Sequence, residues 1–143
     1  MQLTQYTDYS LRVLIYLGLH GDSLVTINDI ADCYDISRNH LVKVAHQLGK
    51  FGYIETQRGK NGGIRLRLAP SEINIGEVVR HCEENLTIVE CFSEAGSCAI
   101  TPSCRLRGVL REALNSFMRV LDGYSLQDLL VNQRKLKNLL RKL

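Results

Sequence analysis

The sequence predicts a mainly α-helical chain that carries one small β-hairpin. Apolar residues recur at helical spacing along most of the chain, and a strict alternation of apolar and basic residues occurs once. With 143 residues, 45% of them hydrophobic and 23% charged, the chain can form one domain with its own core and an appended helix. It shows no signal-peptide pattern and no apolar run long enough for a bilayer, which predicts a cytoplasmic protein.

The first part of the chain predicts three successive helices. The first, over residues 7–20, is apolar nearly all round and is therefore expected to be central. The residues expected to begin and end these helices are Thr7 and Gly21, Thr26, and Ser37 and Gly52.

Residues 27–46 fit a helix-turn-helix. A small residue, Ala31, stands where the helices approach closely, and Asp35 in the turn is of a type that tolerates a left-handed backbone. Arginine and asparagine can form bidentate hydrogen bonds with base edges, and recognition helices present such groups at their N-terminal ends. The candidate DNA contacts on the third helix are Arg38, Asn39, His40 and Lys43. An ordinary helical hairpin with a solvated polar face is the alternative interpretation.

A hairpin with a basic tip is predicted directly after the third helix. Apolar residues alternate with arginines from Ile64 to Leu68, following a glycine-rich turn at residues 58–63. Such a ribbon is typical of a wing, in which Arg58, Lys60 and Asn61 can contact phosphates or the minor groove. Gly62 and Gly63 alone would indicate only a tight turn.

The charge distribution supports a polyanionic partner. The overall net charge is only +3, but residues 37–67 contain seven basic residues and one acidic residue, a net charge of +6. Residues 1–36 contain one basic and five acidic residues, a net charge of −4. The basic block coincides with the predicted helix-turn-helix and wing, so the sequence predicts binding to double-stranded DNA.

The second half predicts a short helix, a loop and a long amphipathic helix. Asn74 and Glu77 form a capping-box pattern for a helix that ends near Glu84, and residues 87–103 are loop-like. The long helix over residues 104–122 carries one apolar stripe, which is expected to pair with its copy in a homodimer. The stripe consists of Leu106, Leu110, Leu114, Phe117 and Leu121.

Ser125 and Asp128 predict a final helix with a basic end that is expected to fray. That end contains Arg134, Lys135, Lys137, Arg141 and Lys142. The predicted organisation is a DNA-binding domain over residues 1–84, a cysteine-rich loop over 85–104, and a dimerisation helix with a C-terminal helix or tail over 105–143.

Five cysteines are many for a short cytoplasmic chain, where disulfides are disfavoured. Cys91, Cys98 and Cys104 have the spacing C-x6-C-x5-C within one predicted loop, so three thiolates can serve one soft-metal site. The lack of C-x2-C knuckles weakens a structural zinc interpretation. Iron–sulfur binding, zinc binding and redox-active thiols all remain open from spacing alone. Cys33 and Cys82 are predicted to be small buried hydrophobes.

The chain as a whole resembles the redox- and iron–sulfur-sensing family of small winged-helix regulators, and within it the nitric-oxide-sensing repressors. The resemblance covers nearly all residues. It rests on four stretches: residues 1–4 with Thr7-Asp8-Tyr9, residues 37–43, residues 58–66, and Cys98 followed by Thr101-Pro102 and Cys104-Arg105-Leu106.

This resemblance implies an iron–sulfur cluster held by Cys91, Cys98 and Cys104, with 4Fe–4S favoured over 2Fe–2S. It also suggests Asp8 from the partner subunit as a fourth ligand. The alternative for Asp8 is a helix-start residue that the helix dipole favours. The implied function is a dimeric repressor at an inverted-repeat operator, released from DNA when nitric oxide reacts with the cluster.

Two features depart from the family pattern. Regulators of cluster assembly carry a histidine three residues after the last cysteine, where this chain has Arg107, and the first cysteine gap is longer than in close relatives. A clusterless thiol-redox regulator, an iron–sulfur regulator of another signal, and an electron-transfer protein are the rival interpretations. An enzyme is not expected, because the four histidines form no evident arrangement with a nucleophile.

Overall fold

The computed structural model describes residues 2–140 and contains seven α-helices and one two-stranded antiparallel sheet within them. The elements are α1 Gln5–His20, α2 Ile27–Tyr34, α3 Arg38–Lys50, β1 Ile54–Gln57, β2 Gly63–Leu66, α4 Ile75–Cys82, α5 Arg105–Asp122, α6 Leu126–Leu129 and α7 Gln133–Leu140. Single 3₁₀ turns lie at Pro70–Glu72, Glu90–Phe92 and Thr101–Ser103. The predicted mainly α fold with one hairpin is confirmed.

The central helix α1 begins earlier than the sequence predicts. Its N-cap is Thr4, whose hydroxyl accepts a hydrogen bond from the Thr7 main-chain N at 3.3 Å. Thr7 is fully buried and its hydroxyl donates to Glu83, so the prediction that Thr7 caps the helix was wrong. The C-terminal end at Gly21 is confirmed, with a positive φ of 59°.

The helix-turn-helix has the predicted turn and caps, apart from one side chain. Thr26 and Asp29 form a reciprocal capping box at the start of α2. Asp35 takes the left-handed conformation at φ 53° and ψ 48°, as its residue type indicated. Ser37 is the N-cap of α3, but its hydroxyl makes no capping hydrogen bond, so the predicted side-chain cap is absent.

One core joins the two ends of the chain. Fully buried side chains from α1, α2 and α3, such as Leu14, Ile30 and Leu41, pack together with Leu126 and Leu130 at the C-terminal side. A Cβ on Gly18 of α1 would lie 2.7 Å from Leu130 Cδ1, so α6 and the residue after it sit directly on α1. Each such leucine contributes about 1.5–3 kcal/mol by its burial.

The hairpin is anchored to the loop between α1 and α2. Its register pairs Ile54 with Leu66 and Gln57 with Gly63, and Ile64 is buried on the core side. Main-chain hydrogen bonds of 2.8 and 3.0 Å join Ile64 to Val25. A Cβ on Gly63 would lie 2.7 Å from the Val25 oxygen, which explains a glycine at the base of β2.

The second half contains α4, the loop and α5 as predicted. Asn74 caps α4 by accepting from Glu77 N, but the Glu77 side chain does not return the bond, so the predicted capping box is only half formed. Helix α4 ends at Cys82 rather than near Glu84, and α5 matches the predicted long helix. None of the helices within residues 2–140 combines the length and apolar character that crossing a membrane requires.

The C-terminal region forms two helices where one was expected. Ser125 and Asp128 form the predicted capping box, but α6 ends after one turn. Arg134, Lys135 and Lys137 then lie in the separate helix α7, so their predicted fraying was wrong. Leu136 and Leu140 of α7 pack against the core. Arg141 and Lys142, like Met1 in the opening stretch, lie outside the described residues.

Candidate nucleic-acid interface and cysteine loop

Helix α3, the predicted recognition helix, has a buried face and exposed polar side chains. Leu41, Val44, Ala45 and Leu48 are buried against α1 and α2. The four predicted DNA contacts are all exposed, at the N-terminal end of the helix and on its polar side: Arg38, Asn39, His40 and Lys43. The Ser37 hydroxyl, which the sequence predicted to cap the helix, makes no capping hydrogen bond and adds a polar group at the same helix start.

The hairpin and its tip, here called the wing, expose the remaining predicted contacts. Arg58, Lys60 and Asn61 are all exposed in the five-residue connection between β1 and β2. Gly59 has a φ of 114° and its main-chain oxygen accepts from Gly62 N at 3.0 Å, which closes the tip tightly. Two basic side chains are therefore presented at the end of a narrow ribbon.

Ion pairing leaves most of the basic block uncompensated. Glu55, the single acid of residues 37–67, pairs with Arg65 at 2.6 Å across the two strands. The other six basic side chains of this block form no ion pair among the described residues: Arg38, Lys43, Lys50, Arg58, Lys60 and Arg67. These six side chains therefore have no internal carboxylate that a polyanion would have to displace.

The N-terminal part of α1 borders the recognition helix. The rings of Tyr9 and His40 lie 6.1 Å apart, and a groove of about 200 Å³ between the helices is lined by Gln5, Tyr6, Tyr9, His40 and Lys43 with Val44. Asp8 lies next to this groove in sequence. Tyr9, which directly follows the suggested iron ligand Asp8, therefore lies beside His40 of the predicted DNA-binding surface.

The cysteine loop, residues 85–104, carries its three cysteines in different local settings. Cys91 is half-buried in the 3₁₀ turn Glu90–Phe92, Cys98 is exposed, and Cys104 is the half-buried N-cap of α5. Two successive turns, Thr101 N to Cys98 O at 3.1 Å and Cys104 N to Thr101 O at 3.4 Å, connect the last two. A Cβ on Gly96 would lie 3.0 Å from the Cys91 Cα, so the loop folds back over Cys91.

Two arginines of α5 hold the first cysteine against the helix that carries the last one. Arg107 Nε donates to the Cys91 main-chain oxygen at 3.0 Å, and the Arg111 guanidinium lies 4.7 Å from the centre of the Phe92 ring. In the sequence, Arg107 stands out only because it replaces the histidine of the cluster-assembly regulators. Its contact with Cys91 spans 16 residues, and no local pattern in the sequence indicates it.

The structure does not bring the cysteines to a single point. Among residues 2–140, no three histidine, cysteine or acidic side chains lie close enough to hold a metal ion. The donor set itself nevertheless fits an iron–sulfur group: three free thiols occupy one irregular segment, none is fully buried, and none is tied up in a disulfide.

The other two cysteines are buried, as predicted. Cys33 and Cys82 are 7% and 4% exposed. Burial raises the pKa of both thiols, and the Ser10 hydroxyl opposes part of that rise in the pKa of Cys82. Both therefore remain protonated near neutral pH and are poor metal ligands, since the thiolate is the binding form.

Asp8 is paired within its own helix. Its carboxylate contacts Arg12 at 2.8 Å, four residues along α1, and the Arg12 guanidinium also lies 5.8 Å from the centre of the Tyr34 ring. The Asp8 side chain is 47% exposed, so a second protein surface can reach it. The described residues of one chain do not unite Asp8 with the three cysteines. Its role as a ligand to the partner's cluster stays a prediction.

Glu83 joins the stem of the cysteine loop to the start of α1. One carboxylate oxygen accepts from Thr4 N at 2.8 Å, from the Thr4 hydroxyl at 3.0 Å, and from the Thr7 hydroxyl. Glu83 directly follows α4, so the chain enters the cysteine loop from a fixed point beside the start of α1. No sequence pattern indicates this role of Glu83, because its partners are more than 70 residues away.

Comparison with known proteins identifies the family. A family model described as "Rrf2: Iron-dependent Transcriptional regulator" matches residues 3–132. The chain belongs to the Rrf2 family of transcriptional regulators. It is 56% identical over 142 residues to the HTH-type transcriptional regulator NsrR of Bacillus licheniformis, covering 98% of this chain and 99% of that protein. Identity to NsrR of Bacillus subtilis is 52% over 143 residues, covering 99% and 98%.

Solved structures of similar regulators share this fold. A transcriptional regulator structure from Listeria innocua has a TM-score of 0.75 at 27% identity, covering 92% of this chain and 88% of that one. T. potens IscR has a TM-score of 0.74 at 24% identity, covering 91% and 86%. The Rrf2 architecture predicted from the sequence, a winged helix-turn-helix with a long following helix, is thereby confirmed.

Proposed function

We propose that this Rrf2 regulator is a homodimeric repressor that binds an inverted-repeat operator and is released when nitric oxide reacts with iron bound by its cysteine loop. The observation that carries this proposal is the combination, on one chain, of an uncompensated basic surface with three accessible thiols on a separate loop. The proposed division is a DNA-binding domain over residues 1–84, the cysteine loop over 85–104, and a dimerisation region over 105–143. The proposed location is the cytoplasm.

DNA binding is assigned to the recognition helix and the wing together. Arg38 and Asn39 stand at the exposed N-terminal end of α3, where side chains of a recognition helix meet base edges in the major groove. Arg58 and Lys60 at the wing tip are assigned to phosphates or the minor groove. His40, Lys43 and Asn61 complete the proposed surface.

Dimerisation is assigned to α5. Met118 is its single buried residue, whereas Leu106 and Val109 are 63% and 54% exposed. An apolar face on an 18-residue helix is unfavourable in water and favours pairing with a second copy. Two-fold symmetry then presents two recognition helices to an operator with the same symmetry.

The iron–sulfur group is assigned to Cys91, Cys98 and Cys104, with Asp8 of the partner subunit as a candidate fourth ligand and 4Fe–4S favoured over 2Fe–2S. When bound, such a group would supply iron that reacts with nitric oxide, the signal suggested by the resemblance to nitric-oxide-sensing repressors. The chain's own residues hold the loop to the rest of the molecule. Arg107 fixes Cys91 to α5, and Glu83 fixes the loop stem to α1.

The test compares DNA binding of the anaerobically purified protein before and after nitric oxide, together with iron and sulfide analysis. The wild type should contain both elements and lose operator affinity on exposure. Cys98→Ala should remove this sensitivity, whereas Ser103→Ala, a change of an exposed neighbour on the same loop, should not.

Four results would overturn the proposal or part of it. Stoichiometric zinc in a colourless protein, or sensitivity retained in Cys98→Ala, would remove the iron-based sensor. Equal operator affinity of iron-free and iron-loaded protein would remove the coupling between loop and DNA. If the iron-free protein responds to nitric oxide and a thiol reductant abolishes that response, the thiol-redox alternative is favoured.

A further inference from the structure

The C-terminal end of α5 is fixed to both ends of α4 by contacts that neither the DNA surface nor the cysteine loop uses. The Asp122 carboxylate, at the last residue of α5, accepts two hydrogen bonds from Arg80, Nη1 at 2.6 Å and Nη2 at 2.8 Å. The Asn74 Nδ2 donates to the Asp122 main-chain oxygen at 2.7 Å. A bidentate arginine–carboxylate pair restrains direction as well as distance.

The residues around Asp122 pack tightly against α4 and add a second set of hydrogen bonds. Gly76 of α4 is buried, and a Cβ on it would collide with the Asp122 carboxylate. The Asn74 side chain holds both helix ends, because its Oδ1 accepts from Glu77 N at 3.0 Å while its Nδ2 holds Asp122. We call Asn74, Gly76, Arg80 and Asp122 the clamp. Main-chain hydrogen bonds from Ile75 to Tyr124 and from Leu126 to Ile73 continue it.

Beyond the clamp, α5 contacts the cysteine loop through Arg107 and Arg111 but buries few side chains of its own. Met118 is its single buried residue, and the N-terminal half exposes Leu106 and Val109. An 18-residue helix is about 27 Å long, and Cys104 caps its far end. The helix is therefore held to α4 at one end, and its other end carries and contacts the cysteine loop.

The anchored end belongs to the same packed body as the recognition helix. Helix α4 packs against α1, and α1 packs against α3. The Tyr53 hydroxyl, just before β1, also lies 2.7 Å from His81 Nδ1 on α4, which links α4 to the wing. A rotation of α5 relative to this packed body of α1, α3, α4 and the wing, here called the DNA-binding unit, therefore changes the clamp contacts.

We propose that the clamp residues are positioning residues that set the angle between α5 and the DNA-binding unit, and thereby the half-site spacing that the dimer accepts. The inference rests on the proposed dimeric DNA binding through α5. A rotation of about 7° about the clamp displaces the far end of α5 by about 3.4 Å, the rise of one base pair on one strand. Loss of the clamp hydrogen bonds should therefore alter the preferred half-site spacing while leaving affinity for a single half-site unchanged.

The experiment uses duplexes that the wild-type protein selects from a random-sequence pool, rebuilt with the half-sites moved by one or two base pairs either way. The wild type should prefer its selected spacing at least tenfold. Arg80→Gln should reduce that preference to about threefold or less while leaving affinity for an isolated half-site, helical content and dimerisation unchanged. Arg80→Lys, which keeps the charge, should restore part of the preference.

Two further variants separate the clamp from general effects. Arg119→Gln removes an exposed arginine of α5 that has no ion pair among residues 2–140, and should keep the wild-type preference. Gly76→Ala should act like Arg80→Gln without changing any charge. A folded, dimeric Arg80→Gln that keeps the wild-type spacing preference would overturn the inference, as would equal losses at every spacing and at the half-site. A wild type that selects no inverted repeat would instead refute the proposed function, and the inference with it.

Discussion

Replacing Glu83 with alanine should destabilise the fold, because one oxygen of this side chain accepts three hydrogen bonds from the start of α1. Two donors belong to the exposed Thr4, so water can replace Glu83 there at a cost of a few tenths of a kcal/mol each. The third donor is the hydroxyl of Thr7, which is 0% exposed.

The Thr7 hydroxyl sets the size of the effect. It would lose a bond to a charged acceptor and keep only its 3.1 Å contact with the Thr4 hydroxyl. Loss of such a bond in a buried setting costs about 1–3 kcal/mol, so Glu83→Ala should cost about 2 kcal/mol in total. Glu83→Gln keeps an acceptor oxygen without the charge and should cost about 1 kcal/mol. For a chain of this length, 1 kcal/mol corresponds to about 4 °C in Tm.

The assay is urea unfolding of the iron-free protein, followed by far-UV circular dichroism at one fixed protomer concentration, because dimerisation makes stability depend on concentration. Glu84→Ala is the matched control, since this exposed neighbour makes no side-chain hydrogen bond among the described residues and should stay within about 0.5 kcal/mol of wild type. A Glu83→Ala variant as stable as Glu84→Ala would refute the reasoning. So would a Glu83→Gln variant as unstable as the alanine variant.

Three other outcomes follow from single contacts. Hydrogen bonds from Arg80 lower the pKa of Asp122. The wild type should therefore have a larger free energy of unfolding than Asp122→Asn above the ordinary aspartate range, and this difference should disappear between about pH 5 and pH 2. Urea unfolding at a series of pH values measures the difference, and a difference that stays constant with pH would contradict the prediction. Thr26→Ala should cost about 1 kcal/mol in the same assay, because it removes the capping box with Asp29, and no loss would mean that the cap is dispensable. Lys60→Ala should lower the slope of log affinity against log salt by about 1 per half-site, and an unchanged slope would exclude a phosphate contact.

The predictions that succeeded depend on neighbours in the chain. The Thr26–Asp29 capping box and the left-handed turn at Asp35 each involve residues at most three positions apart. The hairpin depends on alternation over five residues and a glycine-rich turn, and its register follows from that turn length. Such patterns are visible in the sequence because the interactions that they report are local.

The predictions that failed lie where a distant residue competes for the same group. Thr7 has a suitable side chain and position for a cap, but Glu83 takes its hydroxyl into the interior. The basic segment around Lys135 looks like a fraying tail, yet Leu136 and Leu140 bind it to the core as α7. Local propensity cannot show which of two partners a side chain will meet.

The sequence alone determined the helix-turn-helix, the basic wing, the cysteine spacing and the family resemblance, because composition and short-range periodicity specify each of them. The tertiary structure decided how these parts are joined: Arg107 to Cys91, Glu83 to α1, and Arg80 to Asp122. These contacts connect residues 16 to 79 positions apart. They form only after the chain has folded, since packing of the core, rather than any local preference, brings the partners together.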